Sequence, residues 1–81
     1  MTFYVFVRTL GGNTLTLALD SDHLTISDLQ LAITSQIGII PVYQRLFHKH
    51  QTLTDPMALL KDCDIKPLSY IYLLILDPDL V

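Results

Sequence analysis

The stretch Phe3-Tyr-Val-Phe-Val-Arg-Thr-Leu-Gly-Gly-Asn-Thr-Leu-Thr-Leu-Ala-Leu19 decides the architecture. Residues 3–9 are mostly β-branched or aromatic, the composition of a strand. Leu10-Gly11-Gly12-Asn13 follows, a turn rich in residues that accept positive φ at little cost. Residues 14–19 then alternate, with Leu15, Leu17 and Leu19 on one side and Thr14, Thr16 and Ala18 on the other. The pattern predicts a β-hairpin with an apolar face that something must cover.

The next segment supplies the cover. Thr25-x-x-Asp28 has the form of a capping box, with Asp where Glu or Gln is usual. Ile26, Leu29, Ile33 and Ile37 recur at helical spacing, and Gly38 stands where a helix-ending glycine belongs. A helix over 26–37 is expected. Pro41 marks a break. Residues 43–49 read as a third strand, 51–53 as a short fourth, and Asp55-Pro56 as the start of a loop. Residues 59–63 suit one helical turn, with Ile65 as a buried anchor, and 69–76 form the last strand. The order ββ-α-ββ-turn-β predicts an α+β fold, a mixed sheet of about five strands packed on one main helix.

Composition narrows the function classes. With 81 residues, one domain is expected. A domain of this size buries only about 60% of its unfolded surface. At 51% hydrophobic residues and a mean hydropathy of +0.45, some apolar side chains should remain outside. The net charge is −3, and the basic residues Arg8, Arg45, Lys49, Lys61 and Lys66 are scattered, which argues against nucleic acid as a partner. The single Cys63 has no internal disulfide partner. The start lacks the pattern of a signal peptide, and no run approaches the ~20 apolar residues of a membrane span. A soluble intracellular domain without a membrane partner is expected.

In order and spacing these segments resemble the ubiquitin family over residues 3–76. The resemblance is carried by Phe6-Val-Arg-Thr-Leu-x-Gly-x-Thr-Leu-Thr-Leu in the hairpin and Thr25-Ile26 at the helix start. It continues in Gly38-Ile39-x-Pro41-x-x-Gln44-Arg45-Leu46, Leu53 and Leu60-x-Asp62-x-x-Ile65. It implies a β-grasp over residues 1–76, with 77–81 a tail or the start of a linker. The implied core is Val5, Val7, Leu15, Leu17, Ile26, Leu29, Ile33, Ile39, Leu46, Leu53, Leu60, Ile65, Ile71 and Leu73. Cys63 falls where the family holds a tyrosine that braces the neighbouring loop, so a looser loop is expected.

The resemblance also frames the function. Covalent tagging in the family needs a C-terminal diglycine, whereas this sequence reads Leu76-Asp-Pro-Asp-Leu-Val81. The seven positions that hold lysine in ubiquitin carry Arg8, Asn13, Gln30, Ala32, Gln36, Gln51 and Pro67. A non-conjugating type is expected, one that works by shape and is not an enzyme. The family's recognition patch maps onto Leu10, Phe47, Tyr72 and Leu74. Alternation supports that patch independently. If Ile71, Leu73 and Ile75 face the core, Tyr70, Tyr72, Leu74 and Leu76 face away, and Arg45 and Phe47 lie opposite Leu46. Arg8, Arg45 and Lys49 would rim the patch.

The expected function is therefore that of a protein-interaction module, the N-terminal part of a larger protein in cytoplasm or nucleus, meeting ubiquitin-binding motifs, the proteasome or related partners. The alternative is that the same patch serves self-association, as a weak homodimer, or docks on another domain of the parent protein. Tyr4 and Phe6 form a candidate secondary surface, for which cross-strand stabilisation is the plainer reading. His48-Lys49-His50 raises metal binding, but a third ligand is lacking, with only Cys63 or His23 to draw on. A Cys63–His nucleophilic pair has no orienting third group. Surface histidines and a half-buried cysteine are the expectation, with no cofactor or metal.

Overall fold

A computed structural model describes residues 2–76; the expected tail or linker at 77–81 lies outside the described residues. Strands β1 (Phe3–Thr9) and β2 (Thr14–Leu19) pair antiparallel from Phe3↔Leu19 to Arg8↔Thr14. At the turn, Gly12 N–H donates to the Thr9 carbonyl at 3.0 Å and Thr9 N–H donates to Asn13 at 2.9 Å. Gly12 sits at φ +89°, a conformation that favours glycine and closes the turn.

Strands β3 (Gln44–His48), β4 (Gln51–Thr52) and β5 (Tyr70–Ile75) complete a five-stranded sheet of order β2-β1-β5-β3-β4. The last strand thus enters the middle. It runs parallel to β1, with Phe6 opposite Tyr70, and antiparallel to β3, with Phe47 opposite Tyr72. Helix α1 (Ile26–Ile37) covers one face. The molecule is an α+β, β-grasp-like fold.

The helix ends where its sequence says it should. Thr25 Oγ1 accepts from Asp28 N–H at 3.2 Å, and Thr25 N–H donates to Asp28 Oδ2 at 2.9 Å. This reciprocal box satisfies backbone donors that the first turn leaves without partners. Gly38, at φ +76°, donates its N–H to Thr34 and stops the helix. The helix buries Ile26, Leu29 and Ile33 against Val5, Val7, Leu17, Leu19, Leu46, Ile71 and Leu73 of the sheet. Leu53, Leu60 and Ile65 close the end of this core. Two expected core members, Leu15 and Ile39, are only half-buried. They line an apolar groove of about 470 Å³ between the hairpin turn and the end of α1.

Among the described residues, two polar side chains are buried, Gln44 and His48. Gln44 is buried on β3, with Nε2 within 2.8 Å of the Ile39 carbonyl and 3.1 Å of the Gln30 carbonyl. His48 is only 4% exposed, against the expectation of a surface histidine. It shares strand parity with Leu46, so it points inward. Its Nδ1 lies 3.1 Å from the Cys63 carbonyl. A carbonyl only accepts, so Nδ1 carries the proton in this bond.

That bond ties β3 to the segment expected to be loose. The segment is tied further to the helix start: Ile26 N–H donates to Ala58 and Ser27 N–H to Pro56, both at 2.9 Å. Leu60 N–H donates to Leu24 at 2.8 Å. Backbone hydrogen bonds thus do the bracing at a place where the family resemblance implies a tyrosine.

Candidate protein-interaction surface

The face of the sheet away from α1 is organised in rows set by strand register. One row runs Thr14, Arg8, Tyr72, Phe47, Thr52 across all five strands. A second row runs Thr16, Phe6, Tyr70. A third sets Leu74 opposite Arg45. Alternation makes these rows: Val7, Ile71 and Leu46 are buried, so their neighbours along each strand turn outward.

Of the patch residues proposed from sequence, strand register brings Arg8, Tyr72, Phe47, Arg45 and Leu74 into adjoining rows. Tyr72, 49% exposed, stands between Arg8 and half-buried Phe47. Leu10, 79% exposed, projects from the hairpin turn and lines one groove together with Leu74. Leu76 is exposed next to the start of β3, its N–H donating to the Tyr43 carbonyl at 2.7 Å.

Pairing between strands adds to the setting of two of the named residues. Phe6, grouped with Tyr4 as a candidate secondary surface, lies beside Tyr70. The β1–β5 pairing places its ring 5.0 Å, centroid to centroid, from Tyr70, with the planes at 33°. The aromatic strip thus runs from the main patch through Tyr70 to Phe6, with exposed Tyr4 two residues along the same strand. Such ring pairs add about 0.5–1.5 kcal/mol beyond burial. Sequence reading missed this contact because it depends on a pairing between strands far apart in the chain.

Lys49 is drawn away from the rim. It occupies the turn after β3 at φ +58° and pairs with Asp64, which Lys66 also reaches at 3.2 Å. Hydrogen bonds from Lys49 and then Lys66 hold the Asp64 carboxyl below the usual aspartate range. Arg8 and Arg45, by contrast, are exposed and make no ion pair among the described residues. The rows of the outer face carry these two guanidinium groups and no carboxylate, although the chain as a whole is acidic.

Of the candidates for metal and nucleophilic chemistry, only His48 and Cys63 meet, and His48 Nδ1 bonds the Cys63 backbone carbonyl. His48 points to the core, His50 lies exposed in the β3–β4 turn, and His23 pairs with Asp22 at 3.0 Å near the helix start. No cluster of three metal-ligating side chains occurs among the described residues. Burial pushes the Cys63 thiol upward, and Asp62 and Asp55 add to this, so the reactive thiolate is disfavoured. Among the described residues no helix is long and apolar enough to cross a membrane. No protein-family model matches the chain, and no curated protein matches it significantly.

Proposed function

We propose that the chain is a non-enzymatic, ubiquitin-like protein-interaction domain of the cytoplasm or nucleus that recognises partners through the outer face of its sheet. The observation that supports this most is the row Arg8, Tyr72, Phe47 with Leu74 and Leu10 beside it. An exposed apolar patch on a small domain is a usual mark of an interaction site. Aromatic and arginine side chains dominate binding hot spots, because they bury large areas and offer a polar end. Two exposed arginines on the same face favour partners that set acidic groups around an apolar ridge. Ubiquitin-binding motifs and proteasomal receptors are the partner class that the resemblance suggests.

An NMR titration with ubiquitin-binding motif peptides tests the proposal. Shifts should centre on Leu10, Phe47, Tyr72 and Leu74, and Phe47→Ala should weaken binding about tenfold or more, as a hot-spot truncation does. Shifts confined to the helix side, or no binding at millimolar protein, would overturn it.

A further inference from the structure

The sheet has a second unsatisfied boundary besides its outer face. β2 is an edge strand. Its neighbour β1 uses alternate residues in alternate directions: Thr9 N–H turns to Asn13 on the β2 side, and Phe6 N–H turns to Ser69 on the β5 side. The register then points the backbone groups of Leu15, Leu17 and Leu19 at β1. Those of Thr14, Thr16 and Ala18 point away from the sheet. Among the described residues, only the Thr16 carbonyl finds a partner there, Gln36 Nε2 at 3.1 Å.

Natural edges are usually blunted by charge, proline, a bulge or extreme shortness. Thr14-Leu-Thr-Leu-Ala-Leu19 has none of these; it is uncharged, free of proline and six residues long. We propose that this edge pairs with β2 of a second copy of the chain, antiparallel about a two-fold axis at Thr16, to give one continuous sheet. A two-fold pairing needs a strand complementary to itself. Centred on Thr16, each outward-pointing group of one copy meets an outward-pointing group of the other. Thr16 faces its counterpart, Thr14 faces Ala18, and Leu15 faces Leu17. Threonines opposite one another and small side chains beside them pack without conflict. Asp20 falls opposite Gly12, so the acidic end of one strand meets the neutral turn of the other, and no like charges oppose. A second copy suits this edge because the two-fold register sets uncharged side chains against one another and closes the pair without like-charge conflict. Gln36 acts as a partial guard that must release the Thr16 carbonyl. The edge is distinct from the outer face proposed as the partner site, so either idea can fail alone.

Amide exchange by NMR, at concentrations from micromolar to millimolar, gives the test. In the monomer, Thr14, Thr16 and Ala18 amides exchange quickly while Leu15 and Leu17 are protected. The proposal expects the first set to gain protection with concentration, in step with a monomer–dimer shift in sedimentation. Thr16→Lys, which sets two like charges in the central pair, should restore the monomer, Gln36→Ala should tighten the dimer a few-fold, and Phe47→Asp should leave it in place. A monomer at every concentration overturns the proposal. So does a dimer broken by Phe47→Asp with the alternate amides still unprotected, or protection gained only from an unrelated peptide. The exchange pattern of the wild-type chain decides the matter even if a variant misfolds.

Discussion

His48 shows how a residue's polarity and its strand parity can point in opposite directions. Its composition class suggests a surface position, but Leu46 two residues earlier is buried, and a strand repeats every second residue. Parity wins because the imidazole finds the Cys63 carbonyl, which offsets the cost of burying a polar ring. His48→Ala should lower stability by about 2 kcal/mol, part from the lost bond and part from the space left. The urea midpoint should fall with the slope unchanged. Asp64 offers a pH test. Its carboxyl is held below the ordinary aspartate range, so its contribution is present above the unfolded value and is lost as pH falls through the folded one. Carboxyl-carbon NMR should find Asp64 ionised where free aspartate is protonating, and Lys49→Gln should move it back up. The group is exposed, so the effect on overall stability should be slight. Neither the Lys49–Asp64 pair nor the Phe6–Tyr70 contact was legible, because each joins residues that only the folded sheet brings together.

At the scale of elements, local chemistry was the better guide. β1, β2 and α1 span the residues that alternation, the glycine turn and the capping box indicate. β3 and β5 are shorter at both ends than apolar content suggests. Tyr43 belongs to a 3₁₀ turn over Pro41–Tyr43, and Lys49 leaves the strand at positive φ. Proline's fixed φ favours that turn, a signal present in the sequence but read only as a break. The helix ends invite two substitutions. Thr25→Ala should cost about 1 kcal/mol by removing the acceptor for Asp28 N–H. Gly38→Ala should cost about 1–2 kcal/mol, although a methyl would meet open space there, because φ is +76°. Thermal melts of both variants would separate the two causes: an Asn in place of Gly38 should recover part of the loss, since Asn tolerates this region better.

For the molecule as a whole, the sheet order concentrates risk in one strand. Ile71 and Leu73 are fully buried on β5, which bonds to β1 on one side and β3 on the other. Ile71→Ala should cost about 2–5 kcal/mol, against a total of about 4–12 for a chain this long. Denaturant unfolding would show a strongly depressed midpoint or no folded state. The outer rows depend on the same strand, since Tyr72 and Leu74 reach their positions only after β5 pairs on both sides. Stability and the proposed recognition face are thus coupled through one element. The alternation of both faces was legible, but the central placement of β5 was not, because strand order depends on pairings between residues far apart in the chain.

That placement also sets a timetable during synthesis. The ribosome delivers β1 and β2 first and β5 last, yet the sheet is joined only through β5. Until residue 75 clears the exit tunnel, the hairpin and the β3–β4 pair have no shared partner, and Val7 and Leu46 lack the neighbours that bury them. The nascent chain must therefore emerge nearly whole before it can hold its shape, and a stalled or truncated product exposes apolar surface to the quality-control machinery of the cell.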